Sequence, residues 1–196
     1  MVITSQNINS LINKWMSKSI IENDLIFSKE LNRQALEVFI YDLKRYYPEE
    51  ITILKDKIES RLELVGILLY RLARIYFIHN LINEANKFSL LGRLLSGFEI
   101  YYSSEIGKGL KINHGLGTVI GAKVKIGENA LIHQGVTFGD KNGGRPILKE
   151  NVCVYAGAKI IGNIIIGSNV IIGANCVCMI NVPQNGKIVG IPGKLL

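Results

Sequence analysis

Three histidines occur in the 196-residue chain, His79, His114 and His133, and two of them fall in its second half. An imidazole titrates near neutral pH, so it is the side chain best suited to take a proton and return it. His114 sits in KINHGLGTVIG (residues 111–121), where isoleucine and glycine recur at short intervals and the histidine interrupts them. It is either a base held on a rigid frame or a polar residue in a loose turn. The three cysteines, Cys153, Cys176 and Cys178, form no CxxC pair. Their odd number fits a reducing compartment, and neither they nor the histidines make a structural zinc site; no metal is expected. A zinc centre on three histidines would find only two in the second half.

The elements that must position His114 follow from spacing. Leu148, Val154, Ile160, Ile166, Ile172 and Cys178 are each six residues apart, and Val152, Ala158, Ile164, Val170 and Cys176 precede five of them by two. Upstream the same beat runs through Ile100, Ile106 and Ile112, then Ile120, Ile126, Ile132 and Phe138. A six-residue unit is too short for a helical repeat. It fits a short strand and a corner, with Gly or Asn at the corner supplying φ > 0, and three units close a triangular coil. The aliphatic beat residues then stack inward from coil to coil. The beat breaks twice, between Ile112 and Ile120 and between Phe138 and Leu148. Breaks of a solenoid project as loops, and the first one carries His114. Cys176 and Cys178 fall on core positions, and Cys153 faces outward.

All but two of the 20 glycines lie after residue 96, which marks a boundary at 96–98. Residues 1–96 form an α-helical domain and residues 97–196 the repeat domain, so the fold class is α+β. LNRQALEVFIYDLKRYY (31–47) has helical periodicity and stops at Pro48; IESRLELVGILLYRLARIYFIHNLI (58–82) reads as one long helix that packs on both sides, and a shorter one covers 84–95. Arg71 and Arg74 interrupt the most apolar stretch, which makes it a poor membrane span. The N-terminus lacks the pattern of a signal peptide, and the chain is expected in the cytoplasm. Net charge is +7 and its excess lies in the second half, without a dense basic run. That suits a phosphate-bearing small ligand and disfavours nucleic acid.

GFEI (97–100), EIGKGLKINHG (105–115), QGVTFG (134–139), AGAKIIGNIIIGSNVIIGANCV (156–177) and GIPGKL (190–195) resemble the hexapeptide-repeat acyltransferases with a left-handed parallel β-helix, and more narrowly the serine O-acetyltransferases. The helical first half fits that layout. The resemblance implies an acetyl-CoA-dependent O-acetyltransferase with a small hydroxyl acceptor, L-serine in that family. It implies His114 as general base in direct attack on the thioester and Glu99, fifteen residues upstream, as the carboxylate that orients it. Gly139, Ala156 and Ala174 match positions that pack acetyl-CoA, and Lys194 is placed to meet a CoA phosphate. Gln134 and His133 flank the same wall. It also implies a homotrimer, and the apolar helical faces suggest a dimer of trimers.

The departures bear on the acceptor. Where the family carries Arg-His-Pro after the Gly-rich turn, GGRPIL sets Arg145 at the position of that histidine; an arginine still binds a carboxylate bidentately. No aspartate followed by proline occurs in the first half, RYYPEE offering only Glu49 or Glu50, and Asn113 stands where an aspartate often precedes the histidine. The sulfhydrylase-docking tail of the family does not follow GIPGKL. These differences favour an alternative, acetylation of a sugar hydroxyl in a capsule or exopolysaccharide. Two further readings are a trimeric β-helix with metal chemistry of the γ-carbonic-anhydrase type and a non-catalytic scaffold.

Overall fold

A computed structural model describes residues 1–22 and 25–195. The chain begins with five helices: α1 (Ile8–Met16), α2 (Lys29–Lys44), α3 (Lys55–Glu59), α4 (Leu62–Ile78) and α5 (Ile82–Ser96). The stretch expected as one helix over 58–82 is divided. Arg61 is extended, and Ser60 turns its hydroxyl onto the Lys57 carbonyl at 2.9 Å, a local bond that competes with the helical ladder. α4 is buried along most of its length between α2 and α5, as its nearly continuous apolar surface requires. α5 ends at Gly97, whose φ of 71° is the left-handed conformation that closes a helix. α2 stops short of Tyr47 because Arg45 and Tyr46 turn away onto the second half.

Fifteen short strands follow. The first face is a parallel sheet of β1 (Glu99–Ile100), β4 (Val119–Ile120), β7 (Thr137–Gly139), β10 (Lys159–Ile161) and β13 (Val177–Cys178). The second holds β2 (Glu105–Ile106), β5 (Lys125–Ile126), β8 (Ile147–Leu148) and β11 (Ile165–Ile166). The third holds β3 (Lys111–Ile112), β6 (Leu131–Ile132), β9 (Cys153–Val154), β12 (Ile171–Ile172) and β14 (Lys187–Val189), with β15 (Lys194–Leu195) antiparallel at its end. Every third strand is a neighbour, so the chain climbs a triangular coil. This is the parallel β-helix expected from the six-residue beat. All thirteen beat residues from Ile100 to Cys178 are buried, Cys178 among them, and Cys176 lies beside it. Cys153 is partly exposed, and burial pushes its thiol up.

Positive φ does occur at the corners, carried by residues such as Asn129, Asn151, Asn169 and Asn185. Those four stack, with Asn151 Nδ2 donating to Asn169 Oδ1 at 3.1 Å and Asn169 Nδ2 to Asn185 Oδ1 at 2.9 Å. The glycine that follows a beat residue has a different purpose. A Cβ on Gly127 would lie 2.6 Å from the Lys149 carbonyl carbon, so the next coil leaves no space for a side chain there.

A β-helix leaves the peptide groups of its first coil unpaired on one side, and here the helical half covers them. Asp42 of α2 and Arg71 of α4 form a fully buried bidentate pair, Nε–Oδ2 2.8 Å and Nη2–Oδ1 2.9 Å. Arg71 donates onward to the carbonyls of Ile106 (2.6 Å) and Gly107 (2.7 Å), and Asp42 Oδ1 accepts from Leu110 N at 2.7 Å. Tyr46 Oη accepts from Ile112 N and donates to Ile112 O; Tyr70 Oη accepts from Ile106 N and donates to Ser104 O. Arg45 Nη1 donates to Gly109 O at 2.7 Å. Removing one partner of such a buried pair strands the other charge. Asp42→Ala is expected to lower the unfolding free energy by about 3–5 kcal/mol; urea denaturation showing a loss under about 1 kcal/mol would contradict this role.

Candidate functional site

The first break in the beat is a tight turn. His114, Gly115 and Gly117 have φ of 64°, 54° and 71°, and Leu116 N donates to His114 O at 2.6 Å. Glycine takes this conformation freely; a histidine pays about 1–2 kcal/mol for it. The turn rests on the Phe98 ring, which lies 2.6 Å from where a Cβ on Gly115 would sit. A stiff support therefore holds a strained, exposed imidazole at the corner between the third and first faces. The imidazole makes no hydrogen bond or ion pair among the described residues.

The register aligns other expected residues with it. Ile112 pairs with Ile132, Ile132 with Val154 and Val154 with Ile172. Two residues beyond each of these lie His114, Gln134, Ala156 and Ala174, in one row along this corner. Successive coils are about 4.8 Å apart, so the row spans about 14 Å. Beside it, one residue nearer each strand, are Asn113, His133, Tyr155 and Gly173. The rings of His133 and Tyr155 stack with centroids 5.0 Å apart and planes inclined by 22°. Burial lowers the His133 pKa, and the charge of His114 lowers it further.

The remaining expected residues lie elsewhere. Gly139 is in β7 on the first face, where a Cβ would lie 2.9 Å from Ile161 Cδ1; it is not part of the row. Lys194 is exposed in β15, paired with Val189 at the C-terminal end of the third face. Glu99 is in β1, one coil from the His114 turn, through the bond from Gly117 N to Gly97 O at 3.0 Å. Its carboxylate pairs with Arg93 Nη1 of α5 at 3.1 Å, and no bond joins it to His114 among the described residues. Arg93 and Glu99 line a cavity of 150 Å³ with Ser89, Tyr101 and Tyr102.

Arg145 does not point toward the row as a free cation. The second break folds as a two-residue hairpin with Asn142 and Gly143 at φ 53° and 82°. Arg145 is held within it, Nε donating to Ala122 O at 2.9 Å and Nη1 paired with Asp140. The sequence reading overlooked Tyr155, Lys159 and Arg93. The first two were accessible from the beat, since a residue adjacent to a beat position points outward.

A larger depression of 490 Å³ lies on the second face, lined by Arg74, Glu105, Lys125, Lys149 and Glu150 among others. It holds none of the expected residues, and its charges of both signs pair across it. Among the described residues, no group of three His, Cys, Asp or Glu side chains is placed to hold a metal ion, and no helix is long and apolar enough to cross a membrane.

Both influences on His133 disfavour its cation. His133 is expected to titrate below the ordinary imidazole value of about 6.5. His114→Ala removes the smaller influence, so the His133 pKa should rise while remaining below that value. A two-dimensional NMR titration checks this; an unchanged pKa would contradict the proximity of the two rings.

The bacterial transferase hexapeptide pattern (six repeats) matches residues 145–178. The chain is 46% identical over 112 residues to a serine acetyltransferase of Synechococcus elongatus, an alignment covering 55% of this chain and 46% of that protein. It is 43% identical over 127 residues to a serine acetyltransferase of Staphylococcus aureus, covering 60% of each. The chain thus spans about half of the curated relatives it matches. A solved serine acetyltransferase in complex with CoA superposes with a TM-score of 0.76 at 25% identity, covering 86% of this chain and 75% of that one. The serine acetyltransferase of Neisseria gonorrhoeae gives 0.76 at 26% identity, covering 86% and 68%. The chain therefore resembles the serine acetyltransferases in sequence over part of its length and in fold over most of it.

Proposed function

We propose that the chain is an acetyl-CoA-dependent O-acetyltransferase of a small hydroxyl acceptor, L-serine by its similarity to the serine acetyltransferases. The observation that carries this reading is the row of His114, Gln134, Ala156 and Ala174 along one corner. A base stands at one end and two alanines, Ala156 and Ala174, at the other, a surface of small side chains that suits an extended pantetheine arm. His114 takes the hydroxyl proton as the acceptor oxygen attacks the thioester carbonyl. The new C–O bond forms, the C–S bond breaks, and the imidazolium returns the proton to the leaving thiolate. No acyl-enzyme is required. Holding both substrates on a stiff wall removes much of the entropic cost of their encounter.

Glu99 serves in this reading as the carboxylate that orients His114, which requires it to exchange Arg93 for the imidazole. His133 and Gln134 border the acceptor, Gly139 and Lys194 contact more distant parts of the donor, and residues 1–96 and 97–196 act as two domains. The working unit is a homotrimer in the cytoplasm, with a further pairing of trimers through the helical domain; neighbouring subunits close over the exposed His114.

A second reading keeps the donor and the base but takes a sugar hydroxyl as acceptor. The internal engagement of Arg145 favours it, because a sugar presents no carboxylate for that cation to bind. Thiol release from acetyl-CoA, measured against L-serine, homoserine and a panel of sugars, separates the two. In either case His114→Ala is expected to lower kcat/KM by about 10²–10⁴-fold with thermal unfolding unchanged. Hydroxyl-dependent CoA release that survives this substitution would overturn the mechanism.

A further inference from the structure

The commitment of Arg145 to Asp140 and the Ala122 carbonyl leaves the carboxylate of an amino-acid acceptor without its expected cation. A different cation lies across the same corner. Lys159 of β10 is in register with Thr137 of β7 and points outward from the first face. Its ammonium donates to Gly135 O at 2.6 Å and to Thr137 Oγ1 at 3.1 Å. No carboxylate lies within ion-pair distance of it among the described residues.

Three features separate this lysine from the mobile lysines of the surface. The first is donor count: an ammonium has three N–H groups, two are used, and one remains with the whole positive charge. The second is order, since two tethers on a half-buried side chain remove rotamer freedom before any ligand arrives. The third is place. Gly135, whose carbonyl anchors the ammonium, follows Gln134 of the candidate row. Its N–H donates to Leu116 O at 2.9 Å, and Leu116 N donates to His114 O. The charge is therefore fixed one coil from the turn that carries the base. A half-buried cation without a counter-ion, one coil from the turn that carries a base, suits an anionic oxygen.

We propose that Lys159 is the specificity residue that holds the carboxylate of the acceptor while His114 takes the hydroxyl proton. This rests on the reading of the chain as an O-acetyltransferase with an amino-acid acceptor. It supplies the cation that Arg145 does not. It also makes selectivity a matter of charge: an acceptor with the same hydroxyl and amine but no carboxylate leaves Lys159 unpaired and binds poorly.

The test uses the full-length protein and two acceptors, L-serine and ethanolamine, which is serine without its carboxylate. Wild type is expected to favour serine. Lys159→Met should raise the KM for serine by about tenfold or more, the scale of one lost charge-assisted bond. It should leave the KM for acetyl-CoA within about twofold and the kcat/KM for ethanolamine unchanged. Lys159→Arg should recover part of the serine affinity, and Thr137→Val, which loosens the tether and keeps the charge, should weaken serine binding to a smaller extent. If Lys159→Met fails to fold, those two variants decide the matter. An unchanged serine KM, an equal loss on both acceptors, or a fall in kcat alone would overturn the assignment. Should wild type acetylate a sugar and not serine, the amino-acid reading itself falls and takes this inference with it, an outcome distinct from a serine-active enzyme indifferent to Lys159.

Discussion

The buried pair of Asp42 and Arg71 stands where two architectures meet, and the order of the second half depends on it. The peptide groups of the first coil have no coil beneath them. Left bare, they would be an edge open to any passing strand. Asp42, Arg71, Tyr46, Tyr70 and Arg45 take up those groups one by one, at distances of 2.6–3.2 Å. A charged pair is costly to bury, and it is tolerated here because its remaining donors and acceptors meet backbone groups that also need partners. The helical half is thus a cap with the hydrogen-bonding pattern of a missing coil.

That cap bears directly on the site. Phe98 and Glu99 belong to the first coil, and the His114 turn closes it. Fixing Ile106, Gly107, Leu110 and Ile112 from below fixes the backbone from which the histidine is presented. Phe98 then wedges under Gly115, and the next coil holds Leu116 through Gly135 N. The strained φ of His114 persists because the structure on both sides over-determines it, a pattern typical of functional positions. The later coils repeat the same corner with Gln134, Ala156 and Ala174, so His114 stands at the end of a row.

The β-helix was legible in the sequence because its rule is strict. A side chain every six residues must enter a narrow triangular core, so the pattern of Ile, Val, Leu and Cys could be read without reference to anything distant. The two breaks were visible for the same reason; Gln134, Ala156 and Ala174 were named from the family resemblance, and the strand register aligns them with His114. What stayed hidden involves partners that the six-residue beat does not specify. Arg71 interrupts an apolar stretch and makes it a poor membrane span, but nothing local pairs it with Asp42, 29 residues earlier. Arg145 was expected to face the acceptor, and an aspartate five residues before it captures it instead. The break between α3 and α4 lies at Ser60 and the extended Arg61, where no glycine or proline marks it against the long apolar period. Lys159 went unremarked in the sequence, because its tethers to Gly135 and Thr137 lie 24 and 22 residues away.

The central claim is that one corner of the β-helix carries the base and the donor in line. A crystal structure of the protein with bound CoA tests it most directly. The account predicts the pantetheine arm lying along Ala174 and Ala156, with the sulfur brought toward His114 so that an acceptor hydroxyl between them stands about 3–3.5 Å from the reacting carbon. CoA seated on another face, or its sulfur directed away from His114, would contradict the account.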